Sequence, residues 1–285
     1  MSLFSQPGAD LYIPDGVPFA AAAARTTHLG IGAHQDDLEF MAYHGILECF
    51  GHPEKFFSGV TCTDGRGSAR QGPFAHCSDA EMRDIRREEQ RAAAKLGDYG
   101  LMIQLDVPTA DLKSASDNPL TPDLQALLAL MRPAVIYTHN PADKHETHLH
   151  VLAAVIDALR ALPTDRRPQR LLGCEVWRGL DWMNDSEKVA LDVSGRPELA
   201  AALNQTFASQ IAGGKHYDLA TEGRRRANAT YFTAHQVDQA THLSLAMDLT
   251  PLIQDDRLDV TEYTLGFIDR FRADVENNLQ RALRR

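Results

Sequence analysis

The chain has 285 residues, 44% hydrophobic and 24% charged, a balance that suits a folded globular protein and excludes wholesale disorder. Its formal net charge of -10 and pI near 5.6 repel polyanions, so no nucleic-acid partner is expected. No stretch approaches the roughly 18 uninterrupted apolar residues of a membrane span, and Met1 to Gly8 lacks a basic segment followed by an apolar one, so neither a membrane partner nor secretion is expected. Cys49, Cys62, Cys77 and Cys174 are scattered without a C-x-x-C pair, which argues against a disulfide framework or a thiolate zinc site and fits reduced thiols in a cytoplasmic location.

In chain order, His28 to Ala33 reads as the first clear strand. A helix follows over Asp36 to Phe50, with Leu38, Met41, Leu47 and Phe50 near helical spacing and Gly51 as its stop. Phe56 to Cys62 is the next strand, broken by the turn-rich loop Asp64-Gly65-Arg66-Gly67-Ser68 that runs on past Gly72 and Pro73. Ser78 to Leu96, charged and Ala-rich, predicts a helix exposed on one side with Gly97 as its C-cap. Leu101 to Leu105 is a short strand, and Thr121 as N-cap with Pro122 at the first helical position opens a helix that closes before Pro133.

Ala134 to Asn140 is rich in strand-forming residues, and the helix after it runs from about His148 to Leu162. Beyond Pro168, "LLGCEVWRGL" and "KVALDVSG" read as strands, and Pro197 to Gly213 and Asp259 to Arg285 as helices. Arg224, Arg225 and Arg226 form the one run of three basic residues and read as a solvated helix face. Strands alternating with helices imply parallel βαβ units. The expected fold class is therefore α/β, a Rossmann-like, mostly parallel sheet with helices on both faces plus a C-terminal extension. Residues 1-285 are read as one domain, with a core of about 27-194 and the extension over about 195-285. Whether "GGKHYDLATEGRRRANATYF" in that extension covers a site or builds a subunit contact is not separable by pattern, and homo-oligomerisation stays open.

In open α/β sheets ligands gather beyond the carboxyl ends of the strands. His34, Asp36 and Asp37 lie in the loop leaving the first strand, and "THNPADKHETHLH", Thr138 to His150, leaves a later one. Two imidazoles and one carboxylate form a ligand set that leaves zinc an open position for water. One of the adjacent aspartates can then ligate while its neighbour accepts a proton from that water. A helix starting near Glu146 puts His148 in its first turn, where it can ligate, with His145 facing the substrate oxygen or leaving group.

Competing readings exist for each residue. Asp36 or Asp37 can cap the helix that follows, and Glu39 either supports the ligands or lies on a helix surface. His44, His76, His139, His150, His235 and His242 are read as ordinary polar residues. Arg66 and Arg86 hint at an anionic or heavily hydroxylated substrate, against a role as solvated surface arginines. No G-x-G-x-x-G follows the first strand, so a dinucleotide is not indicated.

"AHQDDLE" is similar to the A-H-P-D-D signature of the PIG-L/LmbE-like zinc-dependent N-acetylglucosaminyl deacetylase family, and "HETHLHVLAAV" resembles its second motif, H-x-x-H running into a helix. "CTDGRGS" and the R-x-x-E of "IRREEQRAAAKLG" resemble its intermediate segments, so the likeness covers roughly residues 27 to 163. The resemblance implies His34, Asp37 and His148 as metal ligands, Asp36 as general base, His145 as the group that polarises the carbonyl or steadies the oxyanion, and Arg86 as a substrate contact. A rival register, from "DKH", makes His145 the ligand. Gln35 replaces the family's proline, and Thr147 stands where Asp or Asn often lies.

The implied activity is hydrolysis of an acyl group, chiefly acetyl, from the amine of an N-acetylated sugar or sugar conjugate. The cofactor is Zn2+, with Fe2+ or another divalent transition metal able to fill the same site. The alternatives are a metal-dependent hydrolase of another bond, such as a phosphoester, and a non-catalytic carbohydrate- or nucleotide-binding module.

Overall fold

The computed structural model describes residues 3-230, 232 and 237-283. Among them eight strands form one sheet: β1 (Asp10–Tyr12), β2 (His28–Gly32), β3 (Phe57–Thr63), β4 (Leu101–Val107), β5 (Val135–His139), β6 (Arg170–Cys174), β7 (Val189–Asp192) and β8 (Leu243–Asp248). Their order is β1-β4-β3-β2-β5-β6-β8-β7. The central run β4-β3-β2-β5-β6 is parallel, whereas β1, β8 and β7 each pair antiparallel with their neighbours. From β2 the chain moves outward to β3 and β4, then returns to place β5 on the other side of β2. The strand order therefore reverses between β2 and β5, and at such a point the loops leaving the two strands diverge and leave a crevice.

The helices are α1 (Phe19–Ala24), α2 (Asp37–Met41), α3 (Tyr43–Cys49), α4 (Asp79–Leu96), α5 (Thr109–Ser114), α6 (Thr121–Leu130), α7 (Glu146–Arg160), α8 (Pro197–Gln205), α9 (Ala208–Gln210), α10 (Tyr217–Thr230), α11 (Thr250–Gln254) and α12 (Val260–Leu283). Side chains alternate across the sheet with a period of two. Leu29, Ile31, Ile136, Leu171 and Met247 enter one buried cluster with Ala22 of α1, Leu124 of α6 and Val151 of α7. Tyr137, Leu172 and Ala246 enter the opposite one with Leu38 of α2, Ile46 of α3, Ala93 of α4 and Leu203 of α8. Helices therefore cover both faces of a mostly parallel sheet, as expected.

Several boundaries differ from the sequence reading. The helix expected over 36-50 is two helices, because Ala42, at φ -107° and ψ 16°, turns the chain out of helical geometry between them. The helix expected over 197-213 stops at Gln205 and gives way to short turns, with Gly214 at φ +93°. Only Arg170–Cys174 of the "LLGCEVWRGL" segment is strand; Glu175 turns away. Gly97 does follow α4, but its φ of -83° is not left-handed, and the positive φ falls on Asp98. β1 and β8 had no counterpart in the reading of the sequence; Arg224 to Arg226 do lie on a helix, α10, but Arg225 is buried and not part of a solvated face. No helix among the described residues is long and apolar enough to cross a membrane, and the four cysteines are free thiols.

Gly45 lets α3 lie directly on the sheet. A Cβ there would sit 2.6 Å from a Tyr137 ring carbon and 3.1 Å from Phe57. Overpacking of this kind costs about 1–3 kcal/mol. Gly45→Ala is expected to lower the urea midpoint accordingly with an unchanged m-value; an unshifted midpoint would show that α3 can lift off the sheet at no cost.

Candidate metal centre and active site

Two loops meet where the strand order reverses. After β2 the chain turns through Ala33 to Asp36, and Asp36 takes φ +97°, a conformation strained for any residue but glycine. Three bonds hold that turn. The Ala33 amide donates to His139 Nε2 at 2.9 Å, the His34 amide to Asp37 Oδ2 at 2.7 Å, and the Asp36 amide to Gln90 Oε1 at 3.2 Å. Gln35, in place of a proline, is buried and donates to Thr63 O at 3.2 Å and to Gln104 Oε1 at 3.1 Å, tying the turn to β3 and β4. Asp36 occupies the cap position of α2 without making a side-chain cap bond, so capping does not account for it.

Asp37 Oδ2 lies 3.3 Å from His34 Nδ1, 3.5 Å from His139 Nε2 and 3.6 Å from His148 Nε2. Burial pushes the Asp37 carboxyl up, but the His148 charge and the adjoining His139 and His34 rings outweigh it and hold the group well below the usual carboxylate range. Burial pushes Asp36 the other way, well above its ordinary value, against the opposing Arg86 guanidinium 3.2 Å away. Adjacent carboxylates with opposite shifts suit opposite tasks, one staying ionised and one exchanging a proton.

α7 begins at Glu146, so His148 sits in its first turn and His145 at its cap position. His148 Nδ1 is bound by Asp143 Oδ2 at 2.8 Å, which leaves Nε2 buried with no partner. Such a carboxylate fixes the ring orientation and the tautomer of a ligating imidazole. Ligand atoms of His34, Asp37 and His148 lie within 4.8 Å of one another, as do those of His139, Asp143 and His148. His148 belongs to both groups; His34 and Asp37 of the first line the cavity, whereas His139 accepts from the Ala33 amide and Asp143 is bonded to His148 Nδ1. The donor set of His34, Asp37 and His148 thus fits a divalent transition ion. His145 is half-buried, and burial, followed by the His34 and His148 charges, pushes it down to about 4, so it is neutral near pH 7. Its ring meets that of His34 edge-on at 5.0 Å.

His34, Asp36, Asp37 and His145 floor a cavity of about 380 Å³ whose walls include Arg86, Lys113, Trp177, Lys215 and Tyr217. Arg86 is only 3% exposed, which corrects its reading as a solvated arginine. It donates to Gln35 O and Ser68 Oγ and pairs with Asp36. Gly65, at φ +67°, lets the loop approach it, because a Cβ there would meet the Gln35 and Arg86 side chains. Arg66, by contrast, lies outside the lining with its guanidinium on Asp64. Glu39 is fully buried, not on a helix surface. It accepts from Tyr99 OH at 2.6 Å and Gln90 Nε2 at 2.8 Å, and burial pushes it up to about 7.

The C-terminal extension closes one side of the cavity, which sequence had left open. Glu89 of α4 accepts from the Ser209 amide and hydroxyl at 2.7 and 2.6 Å, fixing α9 beside the site, and Gln210, Lys215 and Tyr217 line it. Gln90, Asp143, Trp177 and Tyr217 were missed in sequence. Only Asp143 had a local signal, the acid two residues before His145. The other histidines stand apart: His44 bonds Tyr137 OH at 2.8 Å, His242 faces Glu222 at 3.1 Å, His76 is exposed, and the His150 carbonyl accepts from Asn118. His235 lies outside the described residues. His139 is no loop-edge residue; it is fully buried, stacked on His148 at 3.7 Å.

A parallel-sheet α/β protein with two imidazoles and a carboxylate grouped at the point of strand reversal is the class that the fold and site define. Residues 29–159 match the PIG-L family, described as GlcNAc-PI de-N-acetylase. No curated protein sequence matches the chain.

Solved structures with a similar fold include GalB, the 4-carboxy-2-hydroxymuconate hydratase from Pseudomonas putida KT2440. It has TM-score 0.62 and 17% identity, over 79% of this chain and 95% of that one. The N,N'-diacetylchitobiose deacetylase from Pyrococcus horikoshii gives 0.61 and 17%, over 81% and 86%. The A40926 pseudoaglycone deacetylase gives 0.58 and 16%, over 79% and 97%. At these identities the likeness establishes the fold alone.

Gln90 is the one side chain that touches both the strained Asp36 amide and the Glu39 carboxylate. Gln90→Leu leaves a buried N–H and a buried acid short of partners, at about 1–3 kcal/mol. The expected result is a lower denaturation midpoint than wild type, and a midpoint within error of it would show that the turn holds without Gln90.

Proposed function

We propose that this protein is a metal-dependent hydrolase that removes an acetyl group from the nitrogen of an N-acetylated sugar or sugar conjugate, releasing an amine and acetate. The observation that carries this reading is the buried His148 Nε2, oriented by Asp143 and left without a partner beside Asp37 and His34, with a second carboxylate, Asp36, next to it on the cavity floor. The family's description and the deacetylases among the proteins of like fold support the choice of bond. The hydratase of the same fold is a reminder that side chains, not architecture, set the reaction.

In this reading His34, Asp37 and His148 hold the ion, zinc or iron(II). When bound, it supplies a Lewis acid that acidifies water and polarises a carbonyl oxygen. Asp36 accepts the proton of the attacking water and returns one to the departing amine. Its raised pKa suits both directions, and Arg86 keeps its carboxylate aimed at the cavity. His145, neutral, offers an N–H to the carbonyl oxygen as negative charge develops there. Trp177 and Tyr217 supply ring faces for the sugar. Arg66, outside the lining, has no part in this scheme.

Two variants test the reading. Asp36→Asn is expected to lower kcat for amine release from N-acetylated amino sugars by about 10²–10⁴, with metal content by elemental analysis unchanged. Asp143→Ala is expected to weaken metal affinity by about 10–100-fold, read by competition with a chromophoric chelator. Full activity in Asp36→Asn, or a chain that takes up no divalent ion under any reconstitution, would overturn the proposal.

A further inference from the structure

Away from the main cavity, the buried Arg225 makes no ion pair with an acid among the described residues. Arg225 of α10 is 3% exposed. Its Nη2 donates to the main-chain carbonyls of Glu39 and Phe40 at 2.7 and 3.2 Å, and its guanidinium carbon lies 4.7 Å from the centre of the Tyr43 ring. Nε and Nη1 are buried without a hydrogen-bond partner. Glu222, the acid on the same helix, is engaged by Arg226 at 2.6 Å and His242 at 3.1 Å. Burial pushes Arg225 down to about 10, which still leaves it charged at neutral pH.

Arg225 forms part of the wall of a recess of about 30 Å³, which is room for about two waters or one small anion. The remaining charged wall residues are Arg178, Arg224 and Glu175. Glu175 Oε2 accepts from the Leu180 amide at 3.0 Å, and burial pushes this acid up to about 7. The recess wall therefore carries three arginines and one acid, whose Oε1 is itself buried without a partner. A buried guanidinium with two unmet donors is unfavourable unless something supplies acceptors. The recess shares Phe40 and Val176 with the main cavity but none of the residues assigned to catalysis.

We propose that this recess binds one small monovalent anion, a carboxylate or a halide, against Arg225, with Arg178 and Arg224 at its mouth. The anion neutralises the charge that holds the carbonyls of Glu39 and Phe40 on α2, the helix that begins with Asp37. Binding to the folded chain alone raises its stability by RT ln(1 + c/Kd), with c the anion concentration. The main cavity also has basic walls, Arg86, Lys113 and Lys215, so the Arg225 variant is what assigns the effect to this recess.

The test is thermal unfolding of the full chain titrated separately with sodium acetate and sodium bromide, at constant ionic strength balanced by a bulky sulfonate. A rise in Tm that is logarithmic in anion concentration above Kd is expected. A rise with acetate alone identifies a carboxylate site, with bromide alone a halide site, and with both a monovalent-anion site without shape selection. Arg225→Gln should abolish the rise. Should that variant fail to fold, the exposed pair Arg178→Ala with Arg224→Ala leaves Arg225 in place and should weaken the apparent affinity about tenfold, equal to about 1.4 kcal/mol. A Tm unmoved by either salt, a rise linear rather than logarithmic in salt concentration, an identical response in the variants, or crystals in bromide showing only water beside Arg225 would each overturn the proposal. None of these readouts depends on deacetylase activity.

Discussion

The hydrogen bond from the Ala33 amide to His139 Nε2 joins the carboxyl ends of β2 and β5, and the site is built around it. These are the two strands between which the order of the sheet reverses, so their following loops leave in opposite directions. Bridging them at 2.9 Å sets how far the His34–Asp37 turn stands from the loop carrying His145 and His148. The same bond occupies the Nε2 lone pair of His139, which keeps that imidazole structural and leaves Asp37 to be shared by His34 and His148 on its open side.

A group of charges this dense is costly to bury. Asp36, Asp37, Glu39, Arg86 and His148 are each under 5% exposed. Desolvation is offset because almost every one is bound by a specific partner: Asp36 by Arg86, Glu39 by Tyr99 and Gln90, His148 by Asp143. Glu39 Oε2, Arg86 Nε and His148 Nε2 stay unpartnered, and of these His148 Nε2 lies beside Asp37 and His34, where the three can face an electron-pair acceptor. The strained backbone of Asp36 belongs to the same economy. Its amide is held by Gln90, whose other end is fixed by Glu39, so a chain of buried bonds from α4 steadies the residue next to the ligands.

Proteins of this fold include deacetylases and a hydratase. A parallel sheet offers a crevice and a rigid frame, and chemistry is decided by side chains on the loops above it. Here the C-terminal extension completes that upper surface. Ser209 docks on Glu89, Tyr217 and Lys215 line the cavity, and Arg225 grips the end of α2. The cavity wall is therefore shared between the motifs of the N-terminal half and a segment that carries no recognisable motif.

Much of this was legible in sequence where the signal is local. Alternation of strand and helix indicated the α/β class, and the loops after two strands carried the His and Asp residues that the structure brings together. A seven-residue apolar strand or a capped helix announces itself through its own periodicity. What sequence could not reveal depends on contacts made from afar. Arg86 read equally well as a surface residue until α4 folded over Gln35. Glu39 looked like a helix-surface acid until Tyr99 and Gln90, sixty and fifty-one residues away, enclosed it. β1 is three residues long and exists through its pairing with β4, and the break at Ala42 reflects how two short helices settle on the sheet. Sequence by itself determined the fold class and the inventory of groups able to hold a cation. Only tertiary structure decided which atoms keep a free lone pair and which charges lose their water, because both are settled by neighbours that the chain meets only on folding.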